Sequence, residues 1–147
     1  GQTENPSYEE VCTGTTGHAE AIEIIFDPAK ISFADLLEVF FTTHDPTQRD
    51  GQGPDLGPQY RSAIFVLDEE QRRIAEEAKQ RAQAMWDEPI VTEIAHAGRF
   101  WPAEAYHRDY FARNPDQPYC AAVVAPKVAK ARARWRERLA RRRPAED

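Results

Sequence analysis

The sequence predicts an α+β fold, a two-layer sandwich in which helices cover a mixed β-sheet. Three observations carry this expectation: alternation over Ala19 to Phe26, apolar residues at helical spacing after Ser32, and two short apolar runs, Arg61 to Leu67 and Ile90 to Ile94, on either side of a second amphipathic helix. The 147 residues are enough for one domain with a real core, and nothing marks a second one, so 1–147 is read as a single domain.

Residues 1–18 are rich in Gly, Thr, Asn and Pro and read as a loop leading into a strand. In that strand Glu20, Ile22, Ile24 and Phe26 share one face and Ala21, Glu23 and Ile25 the other, until Asp27-Pro28 ends it. Ser32 followed by Asp35 resembles a helix N-cap, and Phe33, Leu36, Leu37, Phe40 and Phe41 recur at helical spacing, which predicts a helix from Ser32 to Thr43. Residues 44–59 hold three glycines and three prolines, a long loop of the kind that is often functional. Asp68 with Gln71 caps a second helix whose Ile74, Ala75, Ala78, Ala82 and Met85 form the expected buried stripe. A short helix from about Pro102 stops near Asn114-Pro115, and a last helix runs from Pro126 into a basic tail covering 127–147.

Composition narrows the function classes. Two cysteines are too few for a disulfide framework or a structural zinc site, and a reducing cytoplasm is the default compartment. No apolar run approaches the ~18 residues of a membrane span, and no leading basic-then-apolar segment suggests a secretory signal. A net charge of −6 argues against general nucleic-acid binding. The basic run Lys127 to Arg143 reads as a solvated helix face, with an anion or nucleic-acid site as the alternative. No glycine-rich phosphate loop, nucleophile elbow or zinc signature is present. Glu104 and His107 are spaced to share a helix face, but the second such pair that a bundle metal site needs is missing, so no metal is expected.

One residue stands out chemically. Glu20 falls on the apolar strand face, where lost hydration would raise its pKa toward the range of a general acid. The same pattern fits a strand that starts one residue later and leaves Glu20 solvated. Tyr8, Asp55, Tyr60 and Tyr119 lie near turns, where phenols can donate to a polar oxygen or simply pack.

Several stretches together resemble the methionine sulfoxide reductase A family. They are Gly1-Gln2-Thr3-Glu4-Asn5-Pro6-Ser7-Tyr8-Glu9-Glu10-Val11-Cys12, then Thr16-Gly17-His18-Ala19-Glu20, then Asp55-Leu56-Gly57-Pro58-Gln59-Tyr60-Arg61-Ser62. Phe100-Trp101-Pro102-Ala103-Glu104-Ala105-Tyr106-His107 follows, closing with Asp109-Tyr110 and Asn114-Pro115. The resemblance runs in order from Gly1 to about Pro126 and implies a ferredoxin-like core. It implies reduction of methionine S-sulfoxide, free or in proteins, with no bound cofactor and with thioredoxin or another thiol as reductant. It implies that Glu20 is the acid, that Tyr8 and Tyr60 hold the sulfoxide oxygen, that Asp55 stands beside them, and that Cys120 matches the place of a resolving cysteine. Cys12 matches a family position that is not the nucleophile and is expected to be a buried loop cysteine.

One departure matters as much. The family's Gly-Cys-Phe-Trp motif, which carries the nucleophile, does not occur in this sequence. The expectation is a domain incomplete at its N-terminal side. The alternative is a non-catalytic relative that binds methionine sulfoxide or a protein partner.

Overall fold

The computed structural model describes residues 1–139 and divides the chain into two compact units, Gly1–Arg108 and Asp109–Asp147. The first unit contains helix α1 (Tyr8–Cys12), helix α2 (Phe33–Thr43), a hairpin of β1 (Gly51–Gln52) and β2 (Asp55–Leu56), a 3-10 turn at Pro58–Tyr60, strand β3 (Ala63–Val66), helix α3 (Glu69–Gln83), strand β4 (Glu93–His96) and a 3-10 turn at Ala105–His107. The α+β class stands: β3 pairs with β4 in parallel, Ala63 opposite Glu93 through Val66 opposite His96, while β1 and β2 are antiparallel. Parallel neighbours need a crossover, and α3 supplies it.

Local sequence explains the helices. Ser32 accepts from the Asp35 amide at 3.0 Å while the Asp35 carboxylate accepts from the Ser32 amide at 3.3 Å, a reciprocal capping box. Asp68 caps α3 by accepting from the Gln71 amide at 2.7 Å. The core lies between α2, α3, β3 and β4, where Leu37, Phe41, Ile64, Val66, Ala75, Ala78, Ala82 and Ile90 are buried. Alanines on α3 let that helix lie close against the sheet pair. The expected stripe ends one turn early, since Met85 lies past the last residue of α3 and is exposed.

Three expectations are corrected. Residues 19–26 are not a paired strand: they carry no ladder partner among the described residues, and Ile22, Ile24 and Ile25 are 82%, 49% and 94% exposed. Alternation favours an extended backbone, but a strand exists only when a second backbone satisfies its amides and carbonyls. The loop 1–18 contains α1, built on a Ser7/Glu10 capping box. The third strand forms at Glu93–His96, later than the apolar run suggested, because Ile90 and Thr92 enter the core ahead of the ladder.

The second unit begins with α4 (Tyr110–Arg113), preceded by Asp109 in the left-handed region at φ 52°, which breaks what the sequence presented as one short helix from Pro102. A π-helical turn at Cys120–Val124 leads into α5 (Ala125–Arg134), so the last helical stretch starts before Pro126. Residues 140–147 of the basic tail lie outside the described residues.

Phe41 is 1% exposed at the centre of the core. Phe41→Ala should cost about 3–5 kcal/mol of unfolding free energy, measured by urea denaturation. A loss under about 1 kcal/mol would place the core elsewhere.

Candidate active site

The site residues sit on loops and short turns of the first unit. The Ser7 cap starts α1 so that Tyr8 is its first residue, and the Tyr8 amide, one of the orphan donors of a helix start, donates to Glu104 Oε1 at 3.0 Å. That bond is the main reason the Glu104 carboxyl is held below its ordinary pKa. Around the Tyr8 ring stand His107, with ring centres 4.7 Å apart, and Tyr106, edge-on at 6.4 Å. Glu104 and His107 thus do share a turn, with His107 Nε2 3.7 Å from Glu104 Oε2.

The 44–59 loop is ordered by the β1–β2 hairpin, which carries Asp55. It then turns through Gly57, whose φ of 138° is closed to most side chains and whose added Cβ would strike Gln59 Oε1. The 3-10 turn that follows presents Tyr60 and buries Gln59. Gln59 Nε2 donates to the Cys12 carbonyl at 3.2 Å, and the Gln59 carbonyl accepts from the Glu20 amide at 2.7 Å. One residue therefore ties the end of α1 and the Glu20 segment to the Tyr60 turn.

These ties place four of the five expected residues in one electrostatic neighbourhood. Glu20 has its pKa raised first by partial burial and then by the charge of Asp55, with His107 opposing the shift. Tyr60 is raised by burial and then by the charges of Glu20, Cys12 and Asp55. Tyr8 is pushed up to about 12, chiefly by a hydrogen bond and charge interaction with Cys12, with burial, Glu20 and Tyr60 adding. In all three groups the shift favours the protonated form.

Three details differ from the sequence expectation. Glu20 is exposed as a residue rather than turned into a hydrocarbon core, because the strand face that would cover it is unpaired; what hydration its carboxyl does lose still dominates its shift. Cys12 is exposed and ends α1 against Tyr8, where a buried loop position was expected. Cys120 belongs to the second unit, where it is buried at 1% exposure and opens the π-helical turn. Sequence reasoning left Gln59 and His107 without a role at this site. The Ser7-x-x-Glu10 spacing was a usable signal for α1, whereas nothing in the sequence marks a glutamine as a tie.

Among the described residues no group of three or more His, Cys, Asp or Glu is placed to hold a metal ion, and no helix is long and apolar enough to cross a membrane. The first unit thus gathers an acid and two phenols whose pKa values are all raised, beside the carboxylate of Asp55.

Comparison with known proteins identifies the family. The family model described as peptide methionine sulfoxide reductase matches residues 1–139. Peptide methionine sulfoxide reductase MsrA of Thermus thermophilus is 53% identical over 139 residues, 95% of this chain and 79% of that protein. Among solved structures, Mxr1 from Saccharomyces cerevisiae in reduced form superposes with a TM-score of 0.76 at 35% identity, covering 81% of this chain and 67% of that one. Methionine sulfoxide reductase A of Corynebacterium diphtheriae gives a TM-score of 0.68 at 38% identity, covering 78% and 60%. The chain belongs to the peptide methionine sulfoxide reductase family. The relatives support the reduction of methionine sulfoxide, an oxidoreductase activity, over a purely binding role.

Two predictions follow from the electrostatics. The folded pKa of Glu20 lies above its ordinary value of 4.5, so the stability the fold gains from the neutral acid is complete below that value and is lost as pH rises through the raised one. Glu20→Gln cannot ionise, so its unfolding free energy should match the parent at low pH and exceed it increasingly as pH climbs. A difference that stays constant across pH, followed by urea denaturation, would contradict the shift. For Tyr8, Cys12→Ala should bring the phenol down from about 12 toward its ordinary value of 10.0 in an ultraviolet titration; an unmoved high-pH component would exclude Cys12 as the cause.

Proposed function

We propose that Glu20 is the proton donor in reduction of methionine S-sulfoxide, with Tyr8 and Tyr60 holding the sulfoxide oxygen and Asp55 keeping the acid charged with its proton. The observation that carries this reading is the shared upward shift of Glu20, Tyr8 and Tyr60, for which the Asp55 charge is a cause at both Glu20 and Tyr60. An S–O oxygen needs a proton as its bond to sulfur breaks, and an acid whose pKa is raised is better suited to bring one than an ordinary carboxylate.

The electrons come from thiols. A thiolate attacks the sulfoxide sulfur, the oxygen passes to the thiol sulfur as a sulfenic acid, and the thioether leaves reduced. A second thiol then displaces water from the sulfenic acid to form a disulfide, and an external dithiol such as thioredoxin reduces that bond. The Gly-Cys-Phe-Trp stretch that would carry the attacking cysteine is not among these 147 residues. Cys120 is the candidate resolving thiol; at 1% exposure it must move to react. Both free or peptide-bound methionine sulfoxide fit the chemistry, in a reducing compartment such as the cytoplasm, as repair after oxidative stress.

A protein joining a segment with the Gly-Cys-Phe-Trp motif ahead of Gly1 should reduce methionine S-sulfoxide with a thiol donor. In it Glu20→Gln should lower kcat by about 10²–10⁴ with a smaller effect on KM. Undiminished turnover by the Gln variant would remove Glu20 from the acid role.

A further inference from the structure

We propose that Arg61 is the positioning residue for Glu20, a clamp that locks the turn ahead of the acid onto the turn that carries Tyr60. The guanidinium spreads its donors over three separate elements. Arg61 Nη1 donates to the Pro58 carbonyl at 2.9 Å, Nη2 to the Gly17 carbonyl at 3.2 Å, and Nε to Glu93 Oε2 at 2.9 Å. Gly17 lies just ahead of Glu20 and has φ of 76°, a conformation open to glycine and rarely to other residues. Pro58 opens the 3-10 turn of Tyr60, and Glu93 is the first residue of β4.

The clamp is anchored in the rigid part of the fold. Glu93 donates its amide to the Ser62 carbonyl at 3.0 Å and pairs with Ala63 in the β3–β4 ladder. The Arg61 side chain is only 21% exposed, so its charge is largely out of water and balanced by the Glu93 carboxylate. A planar fork can address three acceptors at once, whereas a lysine ammonium in the same place is a single point on a flexible stem. The second tie on the same segment, Glu20 amide to Gln59 carbonyl at 2.7 Å, is a main-chain bond whose alignment depends on the Gly17 turn staying in place. Arg61 thus stands among the causes of where the acid sits without being a group that touches the substrate.

The inference rests on Glu20 being the acid, but its test reads geometry in the full chain without turnover. Removing the cation by electrostatics alone would raise the Glu20 pKa, since a positive charge favours the carboxylate. Losing the clamp has the opposite sign, because the carboxyl regains water and moves away from Asp55. In Arg61→Met, carbon-detected NMR titration should show the Glu20 pKa falling toward its ordinary 4.5, and the Glu20 amide should exchange with solvent at least about tenfold faster while β3 and β4 amides stay protected. Arg61→Lys should recover part of the shift. An unchanged or raised Glu20 pKa in a folded Arg61→Met protein overturns the proposal. If that variant does not fold, Arg61→Lys decides alone: a Glu20 pKa and amide protection identical to the parent would overturn it. A lowered pKa combined with full turnover of Glu20→Gln in the extended enzyme would uphold the clamp and remove only the acid role.

Discussion

A site assembled from loops keeps its geometry only where the loops are tied to something rigid, and here the ties converge on Gln59 and the turn that holds it. Its side chain takes the carbonyl that ends α1, its own carbonyl takes the amide of Glu20, and the next residue is Tyr60. Gly57 makes this possible, because a side chain there would occupy the space of the Gln59 amide. β3 follows directly and buries Ile64 and Val66 in the core, so the turn is joined to the packed region.

The electrostatics follow from that convergence. Bringing Glu20, Tyr8 and Tyr60 close to one another and to Asp55 and Cys12 makes ionisation of Glu20 and of both phenols harder, on top of what burial does. Such a cluster works against stability, since an acid forced to stay neutral above its ordinary pKa subtracts from folding free energy when it does ionise. Strain of this kind is expected where chemistry needs a proton held ready.

What the sequence revealed divides by the range of the physics involved. α2 and α3 were legible because caps and apolar spacing are local, and Ser32, Asp35, Asp68 and Gln71 make the bonds their spacing implied. Residues 19–26 misled because alternation describes a backbone ready to pair, while pairing depends on a partner elsewhere in the chain. Resemblance, rather than pattern, singled out Tyr8, Asp55 and Tyr60, whose spacing in the chain says nothing of their meeting. Gln59 and Arg61 were part of a quoted motif yet carried no assigned role, since their work is done through carbonyls of residues distant in sequence. His107 likewise gained meaning only from the ring it faces.

Glu20 sits where the tied and the open parts of this unit meet, and that explains a combination the sequence did not suggest. Its amide is fixed to Gln59, so its Cα cannot drift from Tyr60; beyond it the backbone runs without a ladder and three isoleucines face outward. An acid at such a boundary has its ionisation made harder first by lost hydration and then by the Asp55 charge, while the residue as a whole stays exposed. A fully buried carboxyl would keep its proton more strongly but would be harder to reach and slower to be reprotonated from solvent after each transfer. Partial exposure is therefore compatible with the donor role proposed for Glu20, because the hydration its carboxyl does lose, followed by the Asp55 charge, is enough to raise its pKa.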